Sequence, residues 1–384
     1  MTVTPPLRHA VLLAMLALGA AGLPAQAGTL ALYLSPSGHD DAAGLSAQQP
    51  LRTLARARDR IVELAGRHSY ERIDVNFLPG TYQGLAVVWQ DVDLDGTPVH
   101  FRPAPGSRGK VVLDGARSRF ARFFTVRATR GDESTQAPSR LHFENLVIRN
   151  YCEAISLGDG LSRAILTGNV ISGNVFENIG SKYDPVRRKR AGRSLPNGSC
   201  TAAIRLQRSA GNRIVGNTFA NIENLPKEDT FRDRYGPTYL HAIYIAHLSS
   251  DNEISGNAFT RFTGSPIRVR DRSDNVRVLH NTFSSPLYVE DSESRRRGMR
   301  VMRAVSQWYC GYGLSSCAED DVVHRPECPS TGLRVAGNEV RGRMEVYANL
   351  SERSRSTCPD TPGNAQRFVP ANQTRLEGNS ASTR

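Results

Sequence analysis

Three side chains that would stand in one row on neighbouring strands offer the first chemistry: Arg205, Tyr244 and Arg268. They occupy the same place in three copies of one phrase, Ala203-Ile204-Arg205-Leu206, Ala242-Ile243-Tyr244-Ile245 and Pro266-Ile267-Arg268-Val269. The apolar residues around them alternate, so the row faces out while Ile204, Ile243 and Ile267 face in. Stacked arginines repel one another and invite an anion between them. His241 and His247 bracket the Tyr244 strand, and Arg270 and Asp271 close the next one. Such a set suits proton abstraction beside a carboxylate. A histidine serves as base, arginine steadies the charge that develops, and a tyrosine gives or takes the last proton. His241, His247, Arg268, Arg270 and Tyr239 are the candidate catalytic residues. Arg205, Tyr244, Asp271, Arg272, Arg234 and Tyr235 are the candidate substrate contacts. A surface or turn histidine is the plainer reading of either imidazole taken alone.

The elements that must hold this row are short strands that recur. After each apolar phrase comes Asn-x-Ile-x-Gly-Asn-x-Phe: Asn212 to Phe219, then Asn252 to Phe259, then Asn275-Val276-Arg277-Val278 closed by Asn281-Thr282-Phe283. Weaker copies flank them at Gly173-Asn174-Val175-Phe176 and Gly337-Asn338. Asn174, Asn217, Asn257 and Asn281 lie 43, 40 and 24 positions apart. The shortest step reads as one bare coil of a parallel β-helix, the longer ones as coils carrying inserted loops. Asparagine accepts a left-handed corner and can hydrogen-bond to the asparagine one coil away. A β-sandwich with chance Gly-Asn turns would not require the phrase to return.

The 384 residues suffice for one solenoid of about ten coils. Lys and Arg number 49 against 37 Asp and Glu, a net charge of +12 that favours an acidic partner. Residues 1–27 carry Arg8, an apolar run from Ala10 to Leu23 and Ala25-Gln26-Ala27, the pattern of a cleavable secretory signal. Periplasmic or secreted localisation follows, which makes nucleic acid the lesser polyanion and an acidic polysaccharide the expected partner. No later run has the length of a membrane span, so no insertion is expected, and the protein reads as a monomer. Cys152, Cys200, Cys310, Cys317, Cys328 and Cys358 are even in number, as exported disulfides are. The last four cluster in a Gly- and Ser-rich stretch and are expected to form two bridges. Their spacing lacks a Cys-x-x-Cys pair for zinc.

The mature chain opens with Leu32-Tyr33-Leu34-Ser35-Pro36-Ser37-Gly38-His39-Asp40, then Gly44, Pro50-Leu51-Arg52-Thr53-Leu54. Leu54, Ala57, Ile61 and Leu64 predict a helix from Thr53 to Ala65 that plugs the open first coil. Strands are expected at 75–77, 85–88, 99–101, 111–113 and 123–126, and a polar loop at 129–139. This entry, followed by Phe77-Leu78-Pro79-Gly80-Thr81-Tyr82, resembles the pectin-lyase-like right-handed parallel β-helix superfamily, over about residues 30 to 342. The resemblance implies an all-β, single-stranded right-handed parallel β-helix with an N-terminal capping helix. Pro266 to Asn275 is similar to the Leu-Arg-His-Gly signature of the chondroitinase B and alginate lyase group, which puts Arg270 in the place of that group's catalytic arginine. Asp271 and Arg272 stand where the signature has His and Gly. His247 or Leu248 falls where the group has a lysine. Calcium is the one cofactor the resemblance brings, although its acidic ligands are not evident here.

Two insertions leave the solenoid between one Phe and the next strand. Lys182 to Arg193 contains Arg187-Arg188-Lys189-Arg190, and Leu225 to Tyr239 contains Asp229, Asp233, Arg234, Tyr235 and Tyr239. Ser294 to Arg300 is another basic loop. Stacking gathers such loops on one side. The domains are then a signal peptide over 1–27, a β-helix over 28–342 and an irregular, disulfide-pinned tail over 343–384. The function expected is a polysaccharide lyase cleaving an acidic, uronate-containing glycan by β-elimination. A C5-epimerase shares the first step, a glycoside hydrolase needs paired carboxylates, and a non-catalytic binding protein would use the same arginines without turnover.

Overall fold

From Asn174 onward, successive coils turn on a two-residue corner, usually Gly-Asn, whose residues divide the work. Gly216 and Gly256 adopt left-handed φ of 64° and 63°, and His280 takes the same place at 53°. The asparagine that follows each of them is not itself left-handed, so its role is carried by the side chain. Asn217 Oδ1 accepts the Asn174 backbone N–H at 2.9 Å and its Nδ2–H at 3.1 Å. Asn257 repeats this for Asn217, Asn281 for Asn257, Asn338 for Asn281 and Asn379 for Asn338. Because each amide is buried and spends both its donor and its acceptor on neighbours, the corner fixes the register of adjacent coils.

The computed structural model describes residues 28–117, 122–183, 200–224, 240–287, 302–308, 327–349 and 374–382. Their strands form sheets of ten, nine and eight strands, with a fourth of three. Pairing is parallel throughout, as at Ile204↔Ile243 and Phe219↔Phe259. The all-β solenoid is therefore present, with four sheets rather than three. The fourth joins Gln136–Pro138, Ile165–Thr167 and Ser209–Ala210. It replaces part of the loop expected at 129–139: polar, Pro-bearing residues serve as strand where only one face needs covering.

The core is filled by columns of like residues. Ile155, Ile204, Ile243, Ile267 and Val305 are register partners and fully buried. Phe176, Phe219, Phe259 and Phe283 stack with centroids 4.9, 4.8 and 4.7 Å apart. At the N-terminal end, helix α1 (Leu54–Ala65) buries Leu54, Ala57 and Ile61 against the first coils. Thr53 caps it by accepting the Arg56 N–H, and Asp40 in turn accepts the Thr53 hydroxyl at 2.8 Å. Tyr82 donates to the Leu34 carbonyl at 2.7 Å, tying the Leu-x-Pro-Gly-x-Tyr strand to the entry strand.

Three expectations are corrected by the register. Asn275 does not continue the row of Asn212 and Asn252, because Arg277 pairs with Glu253 and so Val276 fills that corner. Asn275 instead donates to Asp251 at 3.1 Å. Strands run on past residue 342, where an irregular tail was expected: Met344–Asn349, Arg375–Glu377 and Ser380–Ser382 each extend one of the three large sheets. Leu376-Glu377-Gly378-Asn379 is the sequence mark of that last coil. The strand expected at 85–88 lies at Val87–Gln90.

Cys152 and Cys200 form a disulfide between adjacent coils, Cys328 is also disulfide-bonded, and no described cysteine is free. Cys310, Cys317 and Cys358 lie outside the described residues, as do the signal segment, Arg234, Tyr235, Tyr239 and most of the three loops. No helix among the described residues is long and apolar enough to cross a membrane.

Candidate functional site

The outer face of the eight-stranded sheet carries the residues singled out in the sequence. Ser156, Arg205, Tyr244, Arg268 and Ser306 are successive register partners, so the arginines flank the tyrosine in one column. Arg205 donates to Gln207 at 2.8 Å, and Arg268 donates through Nε to Ser306 at 2.9 Å. Arg205 Nε is buried and meets no acceptor in the structure.

Arg270 is drawn into the structure. It is only 8% exposed, and its guanidinium grips the Glu327 carboxylate through both Nε and Nη2. Its Nη1 donates to the Tyr244 hydroxyl at 2.9 Å, and its plane lies over the Trp308 ring at 4.2 Å. Arg270 thereby holds the Tyr244 hydroxyl in place from beneath the surface. The phenol keeps its own proton for another acceptor. Burial raises the Tyr244 phenol above its ordinary range against the opposing charge of Arg270, so it is protonated at neutral pH.

The two histidines separate clearly. His247 and Asp271 occupy the same corner of adjacent coils, with left-handed φ of 53° and 42°. Their side chains meet at 2.7 Å through Nδ1. That contact fixes the ring through Nδ1 and leaves Nε2 as its second nitrogen, the arrangement of an oriented base. Burial works to raise the Asp271 carboxyl. The His247 hydrogen bond and charge, Arg272 and the Cys328 N–H outweigh it and hold Asp271 below the usual range. Arg272 lies 3.4 Å from Asp271 and supports that charge.

His241 is instead 3% exposed, with Nδ1 at 2.7 Å from the Ser265 carbonyl and its ring stacked on Tyr244. Burial first, then the charges of Arg268 and Arg270, hold it well below its ordinary value despite the Ser265 carbonyl. An imidazole kept neutral in the fold but free to protonate when unfolded adds stability above the unfolded value. That stability is lost as pH falls toward the folded value. Stability should therefore decline below about pH 6.5 by up to about 1.4 kcal/mol per pH unit for one such group. His142, also depressed by burial, adds to the slope. Urea unfolding at pH 7.5 and 5.5 checks this. His241→Gln should flatten the difference, and an unchanged slope would show that His241 titrates alike in both states.

Glu327, Trp308 and Ser306 belong to the site and went unread in the sequence. Ser249, Ser273 and Ser330 form a ladder of their own, each hydroxyl accepting a backbone N–H from the coil before. Aligning those serines sets Cys328 opposite Asp271 and Glu327 opposite Arg270, a signal visible in the chain but hidden by the insert before it.

The other carboxylates of this face are taken up by cations. Arg122 and Thr201 hold Glu153, and Arg127 holds Asp159 at 2.6 Å. Two groups have donors close enough to hold a metal ion, His247 with Asp271 and Glu327, and His100 with His142 and Glu144. Both mix imidazole with carboxylate, a set suited to transition metals more than to calcium, which takes oxygen ligands.

No family model matches the sequence, and no curated protein matches it. At the level of fold the chain has weak similarity to pectin, alginate and rhamnogalacturonan lyase-like β-helix proteins. A rhamnogalacturonan lyase is 11% identical over 91% of this chain and 87% of that one, with a TM-score of 0.43. The alginate lyase from Paenibacillus sp. str. FPU-7 is 9% identical over 92% and 95%, with a TM-score of 0.39. Pectate lyase Pel9A is 10% identical over 86% and 80%, with a TM-score of 0.36. Likenesses this distant carry nothing about chemistry, which has to be read from the side chains.

Proposed function

We propose that the protein is an exported, right-handed β-helix enzyme that cleaves an acidic polysaccharide by β-elimination at the outer face of the eight-stranded sheet. Right-handedness is the sense that parallel crossovers take. The observation that carries the reading is the hydrogen-bonded chain Tyr244–Arg270–Glu327 beside the His247–Asp271 pair, with Arg205 and Arg268 flanking Tyr244. Arg205 and Arg268 take the substrate carboxylate and steady the charge that develops as the neighbouring C–H is broken. His247 Nε2, oriented by Asp271, removes that proton. The Tyr244 phenol donates its proton to the departing glycosidic oxygen, and the electron pair of the broken C–H becomes the new double bond. His241 is too buried to reach a substrate and braces the tyrosine ring.

Elimination is favoured over hydrolysis by the state of the acids. A hydrolase needs one carboxylic acid kept protonated. Glu153, Asp159, Glu327 and Asp271 each lie beside an arginine, and Glu153 and Asp271 are both held below their ordinary range. Calcium has no part in this scheme, since Arg205 and Arg268 supply the positive charge. The surplus of +12 fits a polyanionic substrate and a soluble, monomeric protein working outside the cytoplasm.

Incubation with a panel of polyuronates, followed by absorbance of unsaturated ends, tests the reading. At least one uronate polymer should yield them. Tyr244→Phe should lower that rate by about 10²-fold or more, as loss of a general acid does. Saturated products, or unsaturated ends at undiminished rate from Tyr244→Phe, would reject it.

A further inference from the structure

The ten-stranded sheet, a different face of the solenoid, carries a second cluster with no part in the chemistry above. His100 and His142 are register partners on the parallel strands Val99–Pro103 and Leu141–Glu144. Glu144 follows His142 by two residues and so shares its face. His100 Nδ1 lies 3.0 Å from Glu144 Oε1, and His142 Nδ1 lies 3.9 Å from the same oxygen. One donor atom from each residue falls within 4.8 Å of the others. The two imidazoles are 4.3 Å apart, centroid to centroid.

We propose that His100, His142 and Glu144 form a binding site for one divalent transition-metal ion, with water completing its coordination. Two imidazoles and a carboxylate on one side of an ion form a facial set that leaves the opposite side open. Bonds of about 2.0–2.2 Å to nitrogen and oxygen put neighbouring ligand atoms roughly 3–4 Å apart, close to what the strands already hold. Backbone register fixes two of the three ligands, so little ordering is left for the ion to impose.

Two rings this close resist a double positive charge, and one carboxylate oxygen faces both. A cation engages all three lone pairs at once. The flanks are closed to other ligands. Asp74, next in register to His100, is held by Arg102 at 2.7 Å and by Arg72 at 3.0 Å. Val170 and Ser172 adjoin His142 and Glu144 on the other side. The side chains are 16%, 23% and 23% exposed, so a hydrated ion can reach them. The cluster of His247, Asp271 and Glu327 is the poorer host, because an ion there would sit against the charge of Arg270.

Cobalt(II) is the probe, because its visible absorption reports nitrogen and oxygen ligation. The full chain, stripped with a chelator, should bind Co(II) with such a spectrum, and zinc should displace it. His100→Ala, His142→Ala and the near-isosteric Glu144→Gln should each weaken binding by about 100-fold or more, beyond the usual cost of losing a ligand's own partner. His247→Ala should leave the spectrum intact. Far-UV circular dichroism establishes that each variant is folded. The proposal is overturned if no visible spectrum develops, or if folded Glu144→Gln and His142→Ala bind Co(II) as the parent does.

Discussion

Replacing His247 with alanine should lower turnover of the acidic glycan by about 10²–10⁴-fold and leave affinity almost unchanged. In free-energy terms this is about 2.7–5.5 kcal/mol of transition-state stabilisation. The split follows from where the ring stands. It sits at the exit corner of the strand, oriented by Asp271 at 2.7 Å, and not in the Arg205–Tyr244–Arg268 column proposed to take the carboxylate. A base acts only as the proton moves, so kcat should fall with little change in KM. Asp271→Asn should give a smaller loss of the same kind, since it disturbs the orientation of the base and leaves the base in place. Arg268→Ala should do the reverse and raise KM. Its charge-assisted contact is worth about 1.5–3 kcal/mol where shielded from water, and affinity should weaken with salt. Full activity in His247→Ala together with normal binding in Arg268→Ala would mean that the reacting face lies elsewhere on the solenoid.

Phe219→Ala should destabilise the fold by about 3–5 kcal/mol, the cost of deleting a buried aromatic ring. Phe219 is fully buried and loses a stacked partner on each side, Phe176 at 4.9 Å and Phe259 at 4.8 Å. Each aromatic pair adds about 0.5–1.5 kcal/mol beyond its area, which places the effect toward the top of that range. Because a solenoid couples each coil only to its neighbours, a defect here also weakens the link between the two halves. Urea unfolding should show both a lower midpoint and a shallower slope. A loss under 1.5 kcal/mol with an unchanged slope would show that the phenylalanine column is not continuous in solution.

The solenoid was legible because its corners demand particular residues. A buried amide that must both donate and accept leaves Asn at 174, 217, 257 and 281, whatever intervenes. The corner pair His247 and Asp271 was legible for the same reason, being separated by the bare coil of 24 residues. Asn275 misled, because adjacent polar residues at 274 and 275 hide a shift of one position. Glu327 was lost behind an insert: its partner Arg270 lies 57 residues away, and no copy of the phrase falls between Phe283 and Glu327 to carry the count. His100 and His142 left a short mark that was not read: Val99-His100-Phe101 and Leu141-His142-Phe143 repeat one apolar-His-Phe phrase, and the strands pair in that register. Three residues without an asparagine corner are too little to stand out, since outward positions of a strand accept almost any residue.

The asparagine corners step by 43, 40, 24, 57 and 41 residues, yet each step advances the structure by one coil. Loop length therefore carries no positional information in this architecture. The entropy of closing a loop grows only logarithmically, by about 0.6 kcal/mol per doubling, so a coil can acquire or shed an excursion at slight thermodynamic penalty. The excursions and the packed columns thus become separable inheritances. The excursions can be rewritten while the columns beneath stay as they are. The step from Asn257 to Asn281, the shortest of the five, shows how little chain one coil needs, and an excursion grafted there would leave every buried column intact.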